Sequence, residues 1–491
     1  MRGAGQEVAP FVPTGSERAR HAELSSIQAS WLDFVAERPA ALSRSSFRDL
    51  DEHLDLSPER VQPWPLFADA SCLAPIEEAS RAVMGLVATV PQRIFGGDPD
   101  RMADFYGCGA EIARRAMELI DGGCLPHLVS RADFLRGAEG FQCCEVNAAG
   151  NLGGWQVGPW AERFARSPLI AEFLVREGLA LSGTDPIQEL FHHAAAVGIE
   201  RGLASGGELN LALVTSPGRK LLPSLVAEAR SRWRRTAEGA GVPDGRFFVC
   251  TERELLEEGG RVTLYGDRVH LFIDQAMELL DGPMHRSQAA GGAFGFNGWV
   301  SPVLSDKRNL ALLSEQAEGG DLYDAAERAK IARFIPWTRL LLADFSERAG
   351  ERIYLPDFVL AERERLVIKP AGSFGGEGVS VGAGLEPSEW VSRVDAALAD
   401  GRFLVQDFVA SAEYLFQSPD GGAVPHEMVW GSFLFGARFG SCLLRGAPRG
   451  AGVVNVTRGA RRIVLLEVEH RVRESGRAAM PTRPQEIPDV S

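Results

Sequence analysis

The spacing of apolar residues predicts a largely helical N-terminal part. Apolar positions three and four apart in IQASWLDFVAERPAAL and MADFYGCGAEIARRAMELI indicate amphipathic helices between about residues 25 and 130. Residues 187–205 have the same periodicity and end at ASGG. Residues 320–345 follow it too, so we expect helices in these segments.

A strand–helix–strand pattern begins near residue 206. ELNLALVTS is a short apolar run that ends at Pro217 and Gly218, LLPSLVAEARSRWRRTAEGAG is helical, and GRFFVCT is again strand-like. This order predicts a small parallel α/β unit over roughly 206–280. Its first turn lacks G-x-G-x-x-G, which argues against a dinucleotide-binding fold.

The C-terminal third combines strands with one clear helix. LVIKP, GVSVG and RFLVQDFV, with the helix PSEWVSRVDAALADG, predict an α+β module between about 353 and 410. The runs VWGSFLFGARFGSCLLRG, GVVNVT and RRIVLLEVE predict the strands that complete the fold.

Composition narrows the class of protein. A chain of 491 residues that is 45% hydrophobic suits about two to four packed domains. A formal net charge of −14 argues against a nucleic-acid binder. Seven cysteines without a C-x-x-C argue against a disulfide framework or a zinc site. With no apolar run long enough to span a membrane, we expect a cytoplasmic protein without membrane contact.

The segment RADFLRGAEGFQCCEVNAAGN brings unusual polarity into an apolar region. If it forms a hairpin that turns near Glu139, Asp133 lies opposite Glu145 and Arg131 opposite Asn147, all on one face. Two carboxylates and an amide oxygen suit Mg²⁺, and an arginine beside them suits an anion. The alternative is a surface hairpin with a solvated ion-pair face.

The segment LVIKPAGSFGGEGVSVG suits phosphate binding. An apolar strand delivers Lys369 beside a glycine-rich loop, whose backbone N–H groups can approach phosphate oxygens closely. Ser373, Gly375 and Gly376 are the candidate loop contacts. The lysine precedes the glycines, so this is not a Walker A loop. The alternative is a flexible hairpin loop with an incidental lysine.

Two further segments complete a candidate nucleotide site. In FLVQDFV, Gln406, Phe408 and Val409 would form an edge segment whose backbone contacts adenine between apolar side chains. Lys307 stands at the head of a predicted helix. Taken alone, a segment like the first is more often an ordinary strand, and a lysine like the second is more often solvated. Together these fragments suit ATP-dependent ligation, in which charge neutralisation and positioning carry the catalysis.

The order of these motifs resembles the circularly permuted ATP-grasp family, which includes the synthetase domain of glutathionylspermidine synthetase. That family carries R-x-D followed a dozen residues later by E-x-N, as Arg131, Asp133, Glu145 and Asn147 do here. CEVNAAG lies far upstream of VIKPAGSFGGEG, which is the permuted order.

The resemblance implies residue roles. Asp306-Lys307 resembles the family's asparagine-lysine pair, Lys369 its second nucleotide lysine, and Gln406 the glutamine that opens its adenine hinge. Arg445 in GSCLLRG and Asn455 in VVNVT resemble a late arginine and asparagine. By this resemblance, Arg131 and Arg445 are catalytic. Asp133, Glu145 and Asn147 bind Mg²⁺, and the others bind ATP: Lys307, Lys369, Ser373, Gly375, Gly376, Gln406, Phe408, Val409 and Asn455.

The fold implied is α/β (α+β), a circularly permuted ATP-grasp fold with a small parallel α/β domain and an ATP lid. The expected divisions are a flexible tail (1–24), helices with the metal-binding half of the core (25–205), the small α/β domain (206–300), linking helices with a nucleotide lysine (301–350), the lid (351–415), core strands (416–470) and a second tail (471–491).

The activity implied is a carboxylate–amine ligase that forms an amide through an acyl phosphate and releases ADP and phosphate. Its partners would be ATP, Mg²⁺ and small carboxylate and amine substrates, such as an amino acid or small peptide, with a homodimer as a compatible assembly. We expect no counterpart of the hydrolase domain of the bifunctional enzymes in the residues ahead of Arg131. Two alternatives stay open: an enzyme that modifies a ribosomal peptide or protein, and a non-catalytic nucleotide-binding relative.

Overall fold

The computed structural model describes residues 11–38, 61–154, 157–219, 221–276, 281–373, 375–418 and 422–471, which form a mixed α/β fold. The α-helices are α1 (Gly15–Leu24), α2 (Ser26–Ala36), α3 (Ala70–Arg93), α4 (Pro99–Tyr106), α5 (Ala110–Asp121), α6 (Val157–Arg166), α7 (Pro168–Arg176), α8 (Pro186–Glu200), α9 (Pro223–Gly239), α10 (Pro283–Ala289), α11 (Ser301–Leu304), α12 (Arg308–Gly319), α13 (Ala325–Phe334), α14 (Leu355–Ala361) and α15 (Pro387–Asp400).

The strands are β1 (Leu66–Ala68), β2 (Val129–Gly137), β3 (Gly140–Asn147), β4 (Leu179–Leu181), β5 (Leu211–Val214), β6 (Phe247–Cys250), β7 (Leu255–Glu258), β8 (Arg261–Leu264), β9 (Asp267–Val269), β10 (Leu271–Asp274), β11 (Phe294–Gly295), β12 (Thr338–Leu340), β13 (Phe345–Arg348), β14 (Glu351–Tyr354), β15 (Leu366–Pro370), β16 (Ser380–Val381), β17 (Phe403–Asp407), β18 (Glu413–Gln417), β19 (Ala423–Phe435), β20 (Arg438–Pro448), β21 (Arg461–Ile463) and β22 (Leu465–His470).

The first helix corrects one expectation. Residues 1–24 are expected to be a flexible tail, yet residues 15–24 form α1, and residues 1–10 lie outside the described part of the chain. Thr14 and Glu17 form a capping box that satisfies backbone N–H groups at the helix start. The buried His21 accepts a hydrogen bond from the Leu415 N–H at 2.8 Å, so tertiary contact also holds this helix.

The central sheet is antiparallel, in the order β21-β20-β19-β2-β3, with β18 also paired to β19. The long strand β19 pairs with β2 over one part of its length and with β18 over another. Helix α3 packs on this sheet through a buried apolar face that includes Val83 and Val87. The sheet presents the hairpin β2–β3 at one edge.

The small α/β unit has the predicted parallel sheet, in the order β11-β10-β5-β6. An antiparallel sheet β7-β8-β9 lies beside it. An apolar cluster from Ala212 to Ala293 belongs to this unit, and its residues fall inside the range 206–300.

A third unit is built on the antiparallel sheet β12-β17-β15-β16, with α15 packed on it and α14 packed against α15. Its own apolar cluster runs from Trp337 to Val405, so the unit begins before residue 351. Helices were expected as far as 345, but β12 and β13 occupy the end of that range. Pro336 is the cause: Ile335 before it is extended, which ends α13.

Strand β22, at the C-terminal end of the described chain, lies between β1 and β4 in a small three-stranded sheet. Residues 472–491, expected to be a tail, lie outside the described part. Within the seven described ranges, no helix is both long and apolar enough to cross a membrane.

Candidate functional site

The hairpin β2–β3 has the register predicted from the sequence. Arg131 lies opposite Asn147 and Asp133 opposite Glu145, and a bulge follows between Asp133 and Phe134. The bulged residue is Cys144, because Phe134 pairs with Cys143. The sequence did not indicate this bulge. It matters because the carbonyl of Cys144 accepts a hydrogen bond from Lys369 Nζ at 2.5 Å.

Asp133 lies between two arginines. Its carboxylate accepts from Arg131 Nε at 2.9 Å and Nη2 at 3.3 Å, and Arg445 Nη2 lies 2.7 Å from Oδ2. Burial alone would raise the pKa of Asp133, but the two guanidinium groups outweigh burial and hold the pKa below its ordinary value. Gly431 on β19 leaves room for this cluster, since a Cβ there would lie 2.8 Å from Arg131 Cδ.

Lys369 reaches the hairpin from the third unit. Its side chain is buried, and Nζ also donates to Gln406 Oε1 at 2.7 Å, while Gln406 Nε2 donates to Thr338 Oγ1 at 2.8 Å. Burial lowers the pKa of the Lys369 ammonium, and the neighbouring Lys307 adds to the lowering. Gln406 therefore orients the lysine. It lies on β17, an interior strand, so the expected edge segment is wrong.

Lys307 comes from the start of α12, as predicted. Its Nζ lies 3.4 Å from Glu145 Oε1 and donates to the Ser373 carbonyl of the glycine-rich loop. Its neighbour Asp306 has a structural task, because it accepts hydrogen bonds from the backbone and side chain of Arg308. Lys307 thus connects the hairpin with the loop.

The glycine-rich loop needs glycine at several positions. Gly375, Gly376 and Gly378 have φ of 70°, 76° and 73°, which L side chains rarely adopt. Gly376 also packs on Val453, and a Cβ there would lie 2.9 Å from Val453 Cγ1. The loop is thereby held against residues 452–455.

These groups line one cleft of about 990 Å³, counting the space at its open mouth. Eleven of the residues predicted from the sequence line it: Asp133, Glu145, Lys307, Lys369, Ser373, Gly376, Gln406, Phe408, Val409, Arg445 and Asn455. Arg131, Asn147 and Gly375 do not line it.

The three remaining residues are placed nearby. Asn147 is buried and donates from Nδ2 to the Arg131 carbonyl at 3.3 Å. Gly375 adjoins the lining residue Gly376. Arg131 lines a neighbouring cavity, which shares Arg445 and Asn455 with the cleft. The sequence predicts Arg131 on one face with the metal ligands as an anion-binding, catalytic residue. Its guanidinium contacts Asp133 and also lines this second cavity.

Asn455 corrects another expectation. GVVNVT was expected to be a strand, but Asn455 lies in a loop ahead of a short 3₁₀ helix at Val456–Arg458. Its carbonyl accepts hydrogen bonds from the N–H groups of Arg458 and Ala460, which closes a tight turn. Gly450, Gly452 and Gly459 in left-handed conformations account for the turn in place of a strand.

Several lining residues were missed by sequence reasoning. An apolar wall is formed by Leu135, Val367, Val379, Val381 and Val429, and Glu427 stands beside it. Strand alternation could have found two of them, because Leu135 and Val367 lie two positions from Asp133 and Lys369 and share their faces. The other wall residues, Val379, Val381 and Val429, come together only through the packing of separate units, which the sequence does not reveal.

Phe408 and Val409 extend the apolar wall. The Phe408 side chain is 40% exposed and faces the cleft, and its N–H donates to the Arg365 carbonyl at 2.7 Å. The Phe408 N–H is therefore already hydrogen-bonded within the protein, and the Phe408 ring is the part of this residue that can contact a ligand.

The carboxylates of the cleft suit a metal that arrives with the phosphates of a nucleotide. Across the described residues, no group of three or more His, Cys, Asp and Glu side chains could hold a metal ion. Four carboxylates line the cleft, but Asp133 is engaged by two arginines and Asp407 by Arg348, so Glu145 and Glu427 are the lining carboxylates without an arginine partner in the described ion pairs. Mg²⁺ commonly binds through one or two carboxylates together with nucleotide phosphates.

No family model matches this chain, and no curated protein matches it.

Proposed function

We propose that this protein is an ATP-dependent carboxylate–amine ligase of the circularly permuted ATP-grasp type. The observation that carries the proposal is the convergence of two buried lysines, Lys307 and Lys369, on a cleft that also holds a glycine-rich loop and an apolar wall. Burial disfavours the charged form of Lys369, and the nearby positive charge of Lys307 adds to this effect. A polyanion such as a triphosphate would reverse both effects.

The parts of ATP have matching surfaces. The valines of the wall and the Phe408 ring suit the adenine, because an apolar slot removes both faces of a flat base from water. The loop around Gly376 and the two lysines suit the phosphates. Glu145 would hold Mg²⁺ at the phosphates, where the metal would supply charge neutralisation, while Asp133 stays paired with Arg131 and Arg445.

The reaction then divides into two displacements. The substrate carboxylate oxygen bonds to the γ-phosphorus of ATP, and the bond from that phosphorus to the β–γ bridging oxygen breaks, so ADP leaves. The amine bonds to the acyl carbon, the carbon–oxygen bond to phosphate breaks, and the amine releases its proton. Arg445 is buried with Nε unpaired within the described chain, which suits an anion that forms beside it.

The test is ADP release by the purified chain with ATP and Mg²⁺. We expect release only when a carboxylate and an amine are both present, with hydroxylamine as the surrogate amine. A screen of amino acids and small carboxylates supplies the acid. Release that needs neither acid nor amine would identify an ATPase and overturn the proposal. ATP binding without turnover under every combination would identify a nucleotide-binding relative.

A further inference from the structure

The cavity beside the nucleotide cleft differs from it in character. It has about 1160 Å³ of space, counting its open mouth, and lies between the small α/β unit and the central sheet. Leu213, Phe247 and Val249 of β5 and β6 form one wall, and Leu225 and Ala229 of α9 another. Most of its surface is aliphatic or aromatic.

Its charged groups are all arginines. Arg131, Arg219, Arg445 and Arg462 line it, and none of its described lining residues is acidic. In a chain with a net charge of −14, such a selection is unusual. An apolar cavity with cations at its boundary suits a ligand with an apolar body and an anionic group.

The position of the cavity indicates which end of the ligand reacts. Arg445 and Asn455 line both the cavity and the cleft, so the two spaces meet at these residues. Arg131 stands at the same junction, held by Asp133 and by the Gly153 carbonyl at 2.9 Å. A carboxylate at this junction would face the phosphate side of the cleft.

We infer that this cavity binds the carboxylate substrate, and that this substrate is an acid with a bulky apolar group rather than a polar amino acid. The inference rests on the proposed ligase function and adds the substrate class to it. The carboxylate end lies beside Arg445, whose buried Nε has no hydrogen-bond partner among the described residues, and Asp133 keeps its place between Arg131 and Arg445. The apolar body lies against β5, β6 and α9. Burial of that body supplies binding energy remote from the reacting carbon.

The test uses 4-phenylbutyrate as the probe, with 4-phenylbutylamine and glutamate as comparisons. Binding to the full chain is measured by isothermal titration calorimetry. We expect the acid to bind at least about tenfold more tightly than either comparison compound, because only the acid matches both the apolar lining of this cavity and its arginines. Equal affinity for acid and amine would overturn the inference.

Two variants on one helix locate the site. Ala229→Phe fills the cavity, whereas Ala227→Phe places the same ring on the exposed side of α9. We expect A229F to weaken 4-phenylbutyrate binding at least about tenfold and A227F to change it less than about twofold. Equal effects of the two variants would overturn the inference.

Arg219→Glu is a second variant that does not disturb packing, because Arg219 is exposed at the cavity rim. We expect R219E to weaken acid binding and strengthen amine binding, and unchanged values for both would count against the site. If A229F weakens probe binding but the protein releases no ADP under any condition, the cavity is a binding site and the proposed ligase function is wrong. If ADP release requires acid and amine but is unchanged in A229F, the ligase function stands and the cavity is not the acid site.

Discussion

At the scale of single residues, the cleft is governed by charges that the fold buries. Lys369 is 5% exposed and hydrogen-bonded to the Cys144 carbonyl and to Gln406. Burial of an ammonium group costs free energy unless hydrogen bonds or an opposite charge compensate for the lost hydration. The two neutral acceptors hold it in place while its charge stays available to an anion.

We expect Lys369→Met to raise the KM for ATP at least about tenfold while the protein stays folded, because methionine keeps the apolar stem and removes a buried phosphate contact. The KM is measured with ADP release, and the melting temperature on the same preparation. Lys330→Met is the matched control, since Lys330 is exposed on α13. A KM for ATP that is unchanged in folded K369M would remove this lysine from the site.

The two carboxylates should respond differently to removal of their charge. Asp133→Asn leaves Arg131 and Arg445 facing each other without a counter-charge, so we expect a loss of about 3 kcal/mol in the free energy of unfolding. Glu145 is partly exposed in the cleft, so Glu145→Gln should keep the stability and lose turnover by orders of magnitude. Urea unfolding and ADP release distinguish them. Full activity of E145Q would contradict its role at the phosphates.

At the scale of elements, the hairpin shows what a sequence can and cannot predict. The alternation of polar and apolar residues predicts that Arg131 lies opposite Asn147 and Asp133 opposite Glu145, and both pairs are confirmed. A two-residue turn at Ala138-Glu139 would give a different register if the strands were regular. The bulge at Cys144 restores the pairing, and no local residue pattern announces it.

The glycine-rich loop gives an element-scale prediction with an internal control. We expect Gly376→Ala to weaken ATP binding, because its φ of 76° is strained for alanine and the added Cβ would press on Val453. Gly372→Ala adds a methyl group at a position where a Cβ meets no atom within 4 Å, so it should bind ATP normally. ATP affinity is measured by calorimetry. Equal affinities for the two variants would show that the loop conformation does not matter.

Boundaries between elements were the weakest predictions. Periodicity extended helices to 345, but the proline at 336 ends α13 and β12 joins a sheet whose other strands follow more than twenty residues later. Such pairing depends on distant chain segments, which local propensity does not encode. GVVNVT failed for a related reason, since its flanking glycines favour a turn over a strand.

At the scale of the whole molecule, function depends on contacts between units. The cleft takes Glu145 from the central sheet, Lys369 from the third unit and Lys307 from a connecting helix. The sequence predicted each of these residues through local motifs. It did not predict the second cavity, because that space exists only where the small α/β unit packs against β20 and α8.

Four buried histidines make the stability of the folded protein depend on pH. His21, His193, His270 and His285 are buried, and burial lowers the pKa of each from 6.5 to about 4. The unfolded chain therefore binds more protons than the folded one at mildly acidic pH. Their contribution to stability is fully present above pH 6.5 and is lost as pH falls from 6.5 toward 4.

His21 gives the sharpest test of this acid sensitivity. Its Nε2 accepts the Leu415 N–H, and protonation would place a second hydrogen between these atoms and separate α1 from β18. The burial of His21 is the main cause of its low pKa, and the nearby Arg20 adds to it while Glu17 opposes it.

We expect His21→Gln, which keeps an acceptor that does not titrate, to reduce the loss of unfolding free energy between pH 7.5 and pH 5 by about 1–2 kcal/mol. Urea unfolding at the two pH values measures this loss. His192→Gln is the matched control, because the His192 side chain is 44% exposed and should leave the loss unchanged. If H21Q and H192Q lose the same unfolding free energy as the wild type, the acid sensitivity does not come from His21.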